Sequence, residues 1–175
     1  MDPTGNHAPT PAPLPRRAHH AHWPARLPHA LRTPQTSLWF NLEVSARRYP
    51  DKPATVFFDR VQTYPELLRN AERVAAWLHA RGVRAGDRVL LFMQNAPQFV
   101  AAYYGILRAN AVVVPVNPMN KAEELGHYIT DPEARVAIAA ADLAPALCQA
   151  DAALAPERRL AHLLCVHYRD AMPED

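Results

Sequence analysis

The sequence predicts an α/β fold, a mostly parallel sheet with helices on both faces, and three observations carry that prediction. Short apolar runs start at residues 88, 111, 135 and 162. These starts are 23, 24 and 27 residues apart, and each gap holds a stretch with helical periodicity. That spacing is the pattern of right-handed β-α-β crossovers. Finally, residues suited to caps and stops punctuate most of the helices, as Thr63, Gly82, Asn95 and Asn110 do. Crossover helices cover both faces of a parallel sheet.

The elements follow in order. Residues 1–22 are rich in Pro, Ala, His and Arg, with one large apolar residue, Leu14. Such a segment buries too little surface to offset its ordering entropy, so a disordered tail is expected there. From Leu38 the texture changes. Ser37 suits the cap of a short helix with Leu38, Leu42 and Ala46 on one side, ended by Pro50. Ala54–Phe58 reads as a strand, Asp59-Arg60 as a turn and Val61–Thr63 as its hairpin partner. Thr63-Tyr64-Pro65-Glu66 fits a capping box with proline in the first turn. The helix behind it aligns Leu67, Ala71, Val74, Ala75 and Leu78, and Gly82 stands at its stop.

Ala85-Gly86-Asp87 turns into a strand over Arg88–Met93. Asn95 suits the cap of a helix whose apolar face is Phe99, Tyr103 and Leu107, helped by Val100 and Tyr104, with Asn110 at the stop. Ala111–Val116 is a strand, and Asn120 with Glu123 caps a helix carrying Leu125, Tyr128 and Ile129. Arg135–Ala140 is a strand, Asp142–Leu154 a helix despite Pro145, and His162–His167 a last strand. The 111–116 and 135–140 strands read as buried on both faces.

The totals exclude several classes of function. Hydrophobic residues make up 49% and charged residues 21%, which suits a soluble core-forming domain. A net charge of +2 offers no basic field for nucleic acid. It is also uneven, with Arg16, Arg17, Arg26 and Arg32 set against Asp2 in the first 35 residues. No apolar run approaches the ~20 residues of a membrane span. No apolar core of a secretory signal is present, and eight prolines in the first 35 residues oppose an amphipathic transit helix. A cytoplasmic protein is expected. Cys148 and Cys165 form no C-x-x-C pair, and read as reduced, partly buried thiols.

Motifs for chemistry are scarce. The five glycines, Gly5, Gly82, Gly86, Gly105 and Gly126, make neither G-x-G-x-x-G nor G-x-x-x-x-G-K. A nucleotide-binding redox domain is therefore disfavoured. There is no G-x-S-x-G elbow for a serine hydrolase. Glu123 and Glu124 diverge by ~100° on a helix, and read as first-turn acids rather than a catalytic pair. His79 and His127 read as structural, and His19, His20 and His22 as part of a solvated tail.

Four stretches resemble the acyl-CoA synthetase branch of the adenylate-forming superfamily. They are Thr36-Ser37-Leu38-Trp39 through Tyr49-Pro50-Asp51-Lys52-Pro53-Ala54; Thr63-Tyr64-Pro65-Glu66-Leu67 continued by Arg81 to Val89; Met93-Gln94-Asn95-Ala96-Pro97-Gln98-Phe99; and Leu107-Arg108-Ala109-Asn110-Ala111 through Pro118. Asn110 stands where the family usually has Gly. The resemblance runs from about Trp23 to near Tyr168 and is most like bacterial fatty-acyl-CoA ligases, with aryl-CoA ligases sharing much of it. It implies that residues 23–175 are the N-terminal part of the family's large domain.

It also implies a reaction. A carboxylic acid attacks the α-phosphate of Mg-ATP, and coenzyme A displaces AMP from the acyl-adenylate to give acyl-CoA. ATP, Mg²⁺ and CoA are the cofactors so implied for the full-length family. The family's phosphate loop, ribose- and metal-binding acid and catalytic lysine lie further along than this sequence reaches. Lys52 and Lys121, its only lysines, match no catalytic lysine. Hence no catalytic, cofactor-binding or metal residue is assigned, and the expectation is an inactive fragment with an open cut surface prone to self-association. A non-catalytic remnant or interaction module stands as the alternative.

Overall fold

The computed structural model describes residues 18–30 and 32–173. The chain divides into two units, residues 1–35 and 36–175. In the first, residues 1–17 of the expected tail lie outside the described residues. Ala18–His22 form a 3₁₀ turn. The rings of His20 and His29 stack with centroids 4.3 Å apart, and Trp23 meets His29 edge-on at 6.3 Å.

The second unit holds the fold. It runs α1 (Leu38–Arg48), β1 (Pro53–Phe57), β2 (Arg60–Thr63), α2 (Tyr64–Ala80), β3 (Arg88–Phe92), α3 (Pro97–Arg108), β4 (Val112–Val116), α4 (Ala122–Thr130), β5 (Val136–Ala140), α5 (Ala144–Ala152) and β6 (His162–Val166), closed by a 3₁₀ turn over Tyr168–Ala171. β1 and β2 form an antiparallel hairpin. The other four strands make one parallel sheet in the order β4-β3-β5-β6.

Alternation along the central strands divides the core. Val89, Leu91 and Ile138 point to one face, where Leu78 of α2 and Ile106 of α3 meet them. Leu90, Phe92, Ala137 and Ala139 point to the other, against Leu125, Ile129 and Leu147 of α4 and α5. Burying the Val, Leu, Ile and Phe side chains among these contributes roughly 1.5–3 kcal/mol each before entropy is set against it. The order β4-β3-β5 requires successive crossovers to change face, which is where α3 and α4 are found.

The expected buried strand at 135–140 agrees with the structure, since all of Val136–Ala140 is buried. The one at 111–116 does not. Val112 and Pro115 are exposed, because β4 is an edge strand. Proline lacks an N–H and is tolerated at an edge. α3 also departs from expectation. Its buried residues are Ala101, Ala102, Gly105 and Ile106, while Phe99, Tyr103 and Leu107 are only half-buried. Small residues win that face because α2 comes so close that a Cβ on Gly105 would lie 2.6 Å from Val74 Cβ and 2.8 Å from the Ala71 carbonyl oxygen. On α1, Trp39 joins Leu42 and Ala46 inside, and Leu38 stays exposed.

Three helix ends are closed by residues in the left-handed region, Gly82 (φ 78°), Asn110 (φ 57°) and Glu133 (φ 53°). At Asn110 its N–H donates to Leu107 O at 3.0 Å, and Ala111 N–H donates to Ile106 O at 3.1 Å. That pair of bonds is the Schellman pattern. The expected helix starts shift by one residue. Ala96, not Asn95, caps α3, and Lys121, not Asn120, caps α4, with Glu124 Oε2 accepting Lys121 N–H at 3.0 Å. The hairpin turn is Phe58-Asp59 rather than Asp59-Arg60. Both residues have positive φ, as a two-residue mirror-image turn demands. Cys148 and Cys165 are both free and exposed, not partly buried.

Candidate functional site

Two places in the second unit are shaped to receive something, and the sheet creates both. The first is the topological switch point. α3 leaves the end of β3 for one face and α5 leaves β5 for the other, so the loops part between two adjacent strands. In open α/β sheets such a crevice is the usual ligand site. Tyr168, just past β6, reaches across to the end of β3, where its Oη accepts Gln94 N–H at 2.7 Å. Burial pushes the Tyr168 phenol up, with Asp142 adding to it and the Gln94 N–H opposing. Gln98 Nε2 donates to His167 O at 2.9 Å and to Tyr168 O at 3.4 Å, tying the closing turn to α3.

The second place is a groove of about 480 Å³. Its floor is apolar: Ile138 of β5, Leu164 and Val166 of β6, with Ala101 and Ala102 of α3. Its rim is polar and carries more positive than negative groups: Arg60, Arg69 and Arg73 against Glu66 and Asp170. Arg60 Nη1 donates to Asp170 O at 3.0 Å and Met172 O at 2.9 Å, which ties the hairpin to the end of the described chain. Glu66 Oε2 accepts the Thr63 N–H at 2.8 Å and the Thr63 hydroxyl at 3.0 Å, fixing the start of α2. The Thr63 N–H, then its hydroxyl, hold the Glu66 carboxyl below its ordinary range, with smaller help from Arg69 and Arg60 against a small burial effect.

The residues singled out in the sequence have structural positions. Lys52 Nζ sits 4.4 Å from the centre of the Tyr49 ring, and Lys121 opens α4. Glu124 turns back to its own helix start, as a first-turn acid should. His79 and His127 lie in the last turns of α2 and α4. No group of three His, Cys, Asp or Glu side chains is placed to hold a metal among the described residues. Sequence reading missed the groove residues Arg69 and Arg73, and quoted Gln98 only as part of a motif. The arginines lie off the apolar stripe of α2 and read as a solvated face. Only the tertiary position of β6 makes them a rim.

A family model described as AMP-binding enzyme matches residues 42–174. The chain belongs to that family. Among curated relatives, the long-chain-fatty-acid–CoA ligase of Bacillus subtilis is 38% identical over 118 residues, which is 67% of this chain and 21% of that protein. The salicyl-AMP ligase / salicyl-S-ArCP synthetase of Mycobacterium tuberculosis is 44% identical over 92 residues, 50% of this chain and 16% of the relative. The chain thus spans about a fifth of the length of the curated relatives it matches. Among solved structures, the N-terminal domain of FACL13 from Mycobacterium tuberculosis superposes with a TM-score of 0.69 at 30% identity, covering 75% of this chain and 34% of that one. The parallel sheet with helices on both faces is therefore that of an AMP-binding enzyme, and the quoted motif residues span its turns, caps and the helix and strand ends beside them.

Proposed function

We propose that this chain is a structural part of an acid–thiol ligase, one that converts a carboxylic acid, ATP and CoA into acyl-CoA, AMP and pyrophosphate. The observation that carries the reading is the family match over residues 42–174, joined to relatives named as long-chain-fatty-acid–CoA ligases. Those names favour a fatty acid. The salicyl-AMP ligase keeps an aromatic acid as the second candidate.

Within such an enzyme the described residues act as scaffold. Tyr168 is hydrogen-bonded across the switch point to Gln94, and both lysines are in structural positions. ATP, Mg²⁺ and CoA belong to the whole enzyme, and no residue here is assigned to them. Among the described residues no helix is long and apolar enough to cross a membrane. The reading places the protein in the cytoplasm. A non-catalytic interaction module is the second reading, favoured by the exposed Val56, Phe58 and Val61 at the hairpin.

The deciding measurement is pyrophosphate release by the 175-residue chain with ATP, Mg²⁺, CoA and a panel of fatty and aromatic acids. The expected result is no turnover. Activity that copurifies with the chain through successive columns overturns the scaffold reading.

A further inference from the structure

The segment that follows β6 does not stay beside its own strand. β5 lies between β6 and β3 in the sheet, yet Tyr168, just past β6, sets its Oη against the Gln94 N–H just past β3. The segment therefore crosses the carboxyl end of β5. Two further catches hold it. Gln98 Nε2 of α3 donates to the carbonyls of His167 and Tyr168, and Arg60 Nη1 of the hairpin donates to those of Asp170 and Met172. Catches on elements far apart in the sequence thus converge on residues 167–172.

What holds this segment is mostly polar and open to water. Tyr168–Ala171 contains no buried residue, and its apolar anchor is the Tyr168 ring, packed on the core that α2 and α3 share. An exposed hydrogen bond competes with water and contributes little net stability. The strand beneath is the opposite, since all of Val136–Ala140 is buried. The closed arrangement also carries a cost. Binding two carbonyls through Nε2 fixes the Gln98 amide and leaves its Oε1 buried with no partner among the described residues. A buried acceptor in that state disfavours the closed form, and release of the segment lets the amide turn to water. Regions with few buried apolar contacts and exposed hydrogen bonds open well below the free energy of global unfolding.

We propose that residues 167–172 are a latch that opens and closes as one piece over the switch point while the sheet stays folded. Arg60, Gln94 and Gln98 are its catches. Opening frees the Gln94 N–H at the carboxyl end of β3, the end at which open α/β sheets receive ligands. Arg60 is a positioning residue in this device. Its hydrogen bonds go to Asp170 and Met172, not to Gln94 or Tyr168, so it acts on Gln94 only through the latch. The latch depends on the fold of this chain and not on the acid a ligase would take.

Hydrogen exchange of single amides in the 175-residue chain, followed by NMR at low urea, tests this. The reporters are the Gln94 N–H, bonded to Tyr168, and the Asp170 N–H, bonded to His167 O. The amides of Ala137, Ile138 and Ala139 report the sheet. In the parent, Gln94 should exchange at least about a hundredfold more readily than the sheet amides, with little dependence on urea. Arg60→Ala should speed Gln94 and Asp170 by one common factor, about five- to tenfold for the bonds lost, and the gap to the sheet amides should persist. Arg60→Lys, which keeps a donor, should restore most of the protection.

If Gln94 exchanges only together with the sheet amides, nothing opens short of unfolding and the latch is overturned. If Arg60→Ala speeds Asp170 and leaves Gln94 unchanged, the segment frays piece by piece, which overturns it as well. An Arg60→Ala protein in which neither amide changes, or a parent chain with no protected sheet amide, has the same consequence.

Discussion

Gly105→Ala tests the close approach of α2 and α3. Taken alone, the change favours the helix, because Ala exceeds Gly by about 1 kcal/mol in helix propensity. The packing opposes it. The new methyl would lie 2.6 Å from Val74 Cβ, 2.7 Å from Val74 Cγ1 and 2.8 Å from Ala71 O. A Cβ and a backbone oxygen cannot rotate away, so α2 and α3 must part. Overpacking costs about 1–3 kcal/mol, and this geometry puts it near the upper end. The net loss is then about 2 kcal/mol, or roughly 6–8 °C in Tm for a unit of this size. Urea unfolding of the two proteins measures it. Adding Val74→Ala should recover less than half, since only the Cγ1 contact is relieved. A Gly105→Ala protein as stable as the parent would refute the claim that close helix approach selects glycine here.

The other predictions concern single hydrogen-bonded positions. Asn110→Gly should be neutral or mildly stabilising, whereas Asn110→Val should lose roughly 1 kcal/mol or more, because a β-branched residue fits φ 57° poorly; equal melting of the two variants would remove the assignment. The Glu66 carboxyl lies below its ordinary value in the fold, so its contribution is whole above the unfolded-state value near pH ~4 and fades as pH falls through the lower folded value. The stability gap between parent and Glu66→Gln should therefore narrow on acidification, and a gap that widens would contradict the cap. Tyr168→Phe removes the acceptor of Gln94 N–H and should lose about 1 kcal/mol at neutral pH. Because the phenol is raised in the fold, its contribution persists below pH ~10 and is lost above, so the variant should also lose less stability than the parent in alkali, as chemical unfolding at two pH values will show.

The sequence by itself determined the parallel α/β class, the existence of most elements, the stops at Gly82 and Asn110, and the family motifs. These are local quantities. The spacing of apolar residues and the residue types tolerated at φ > 0 are set within one element or one turn. Tertiary structure alone decided that β4 is an edge strand while β5 is central, and therefore that Val112 and Pro115 are exposed while Val136–Ala140 are buried. It turned the small residues of α3 inward where the aromatic stripe had pointed, because the partner helix rather than the helix's own periodicity sets how close two axes come. It also brought Arg69 and Arg73 beside Leu164, roughly ninety residues away in the chain, to form a groove. Strand order and helix approach depend on contacts between distant segments, and a one-dimensional pattern records which residues seek burial without recording against what.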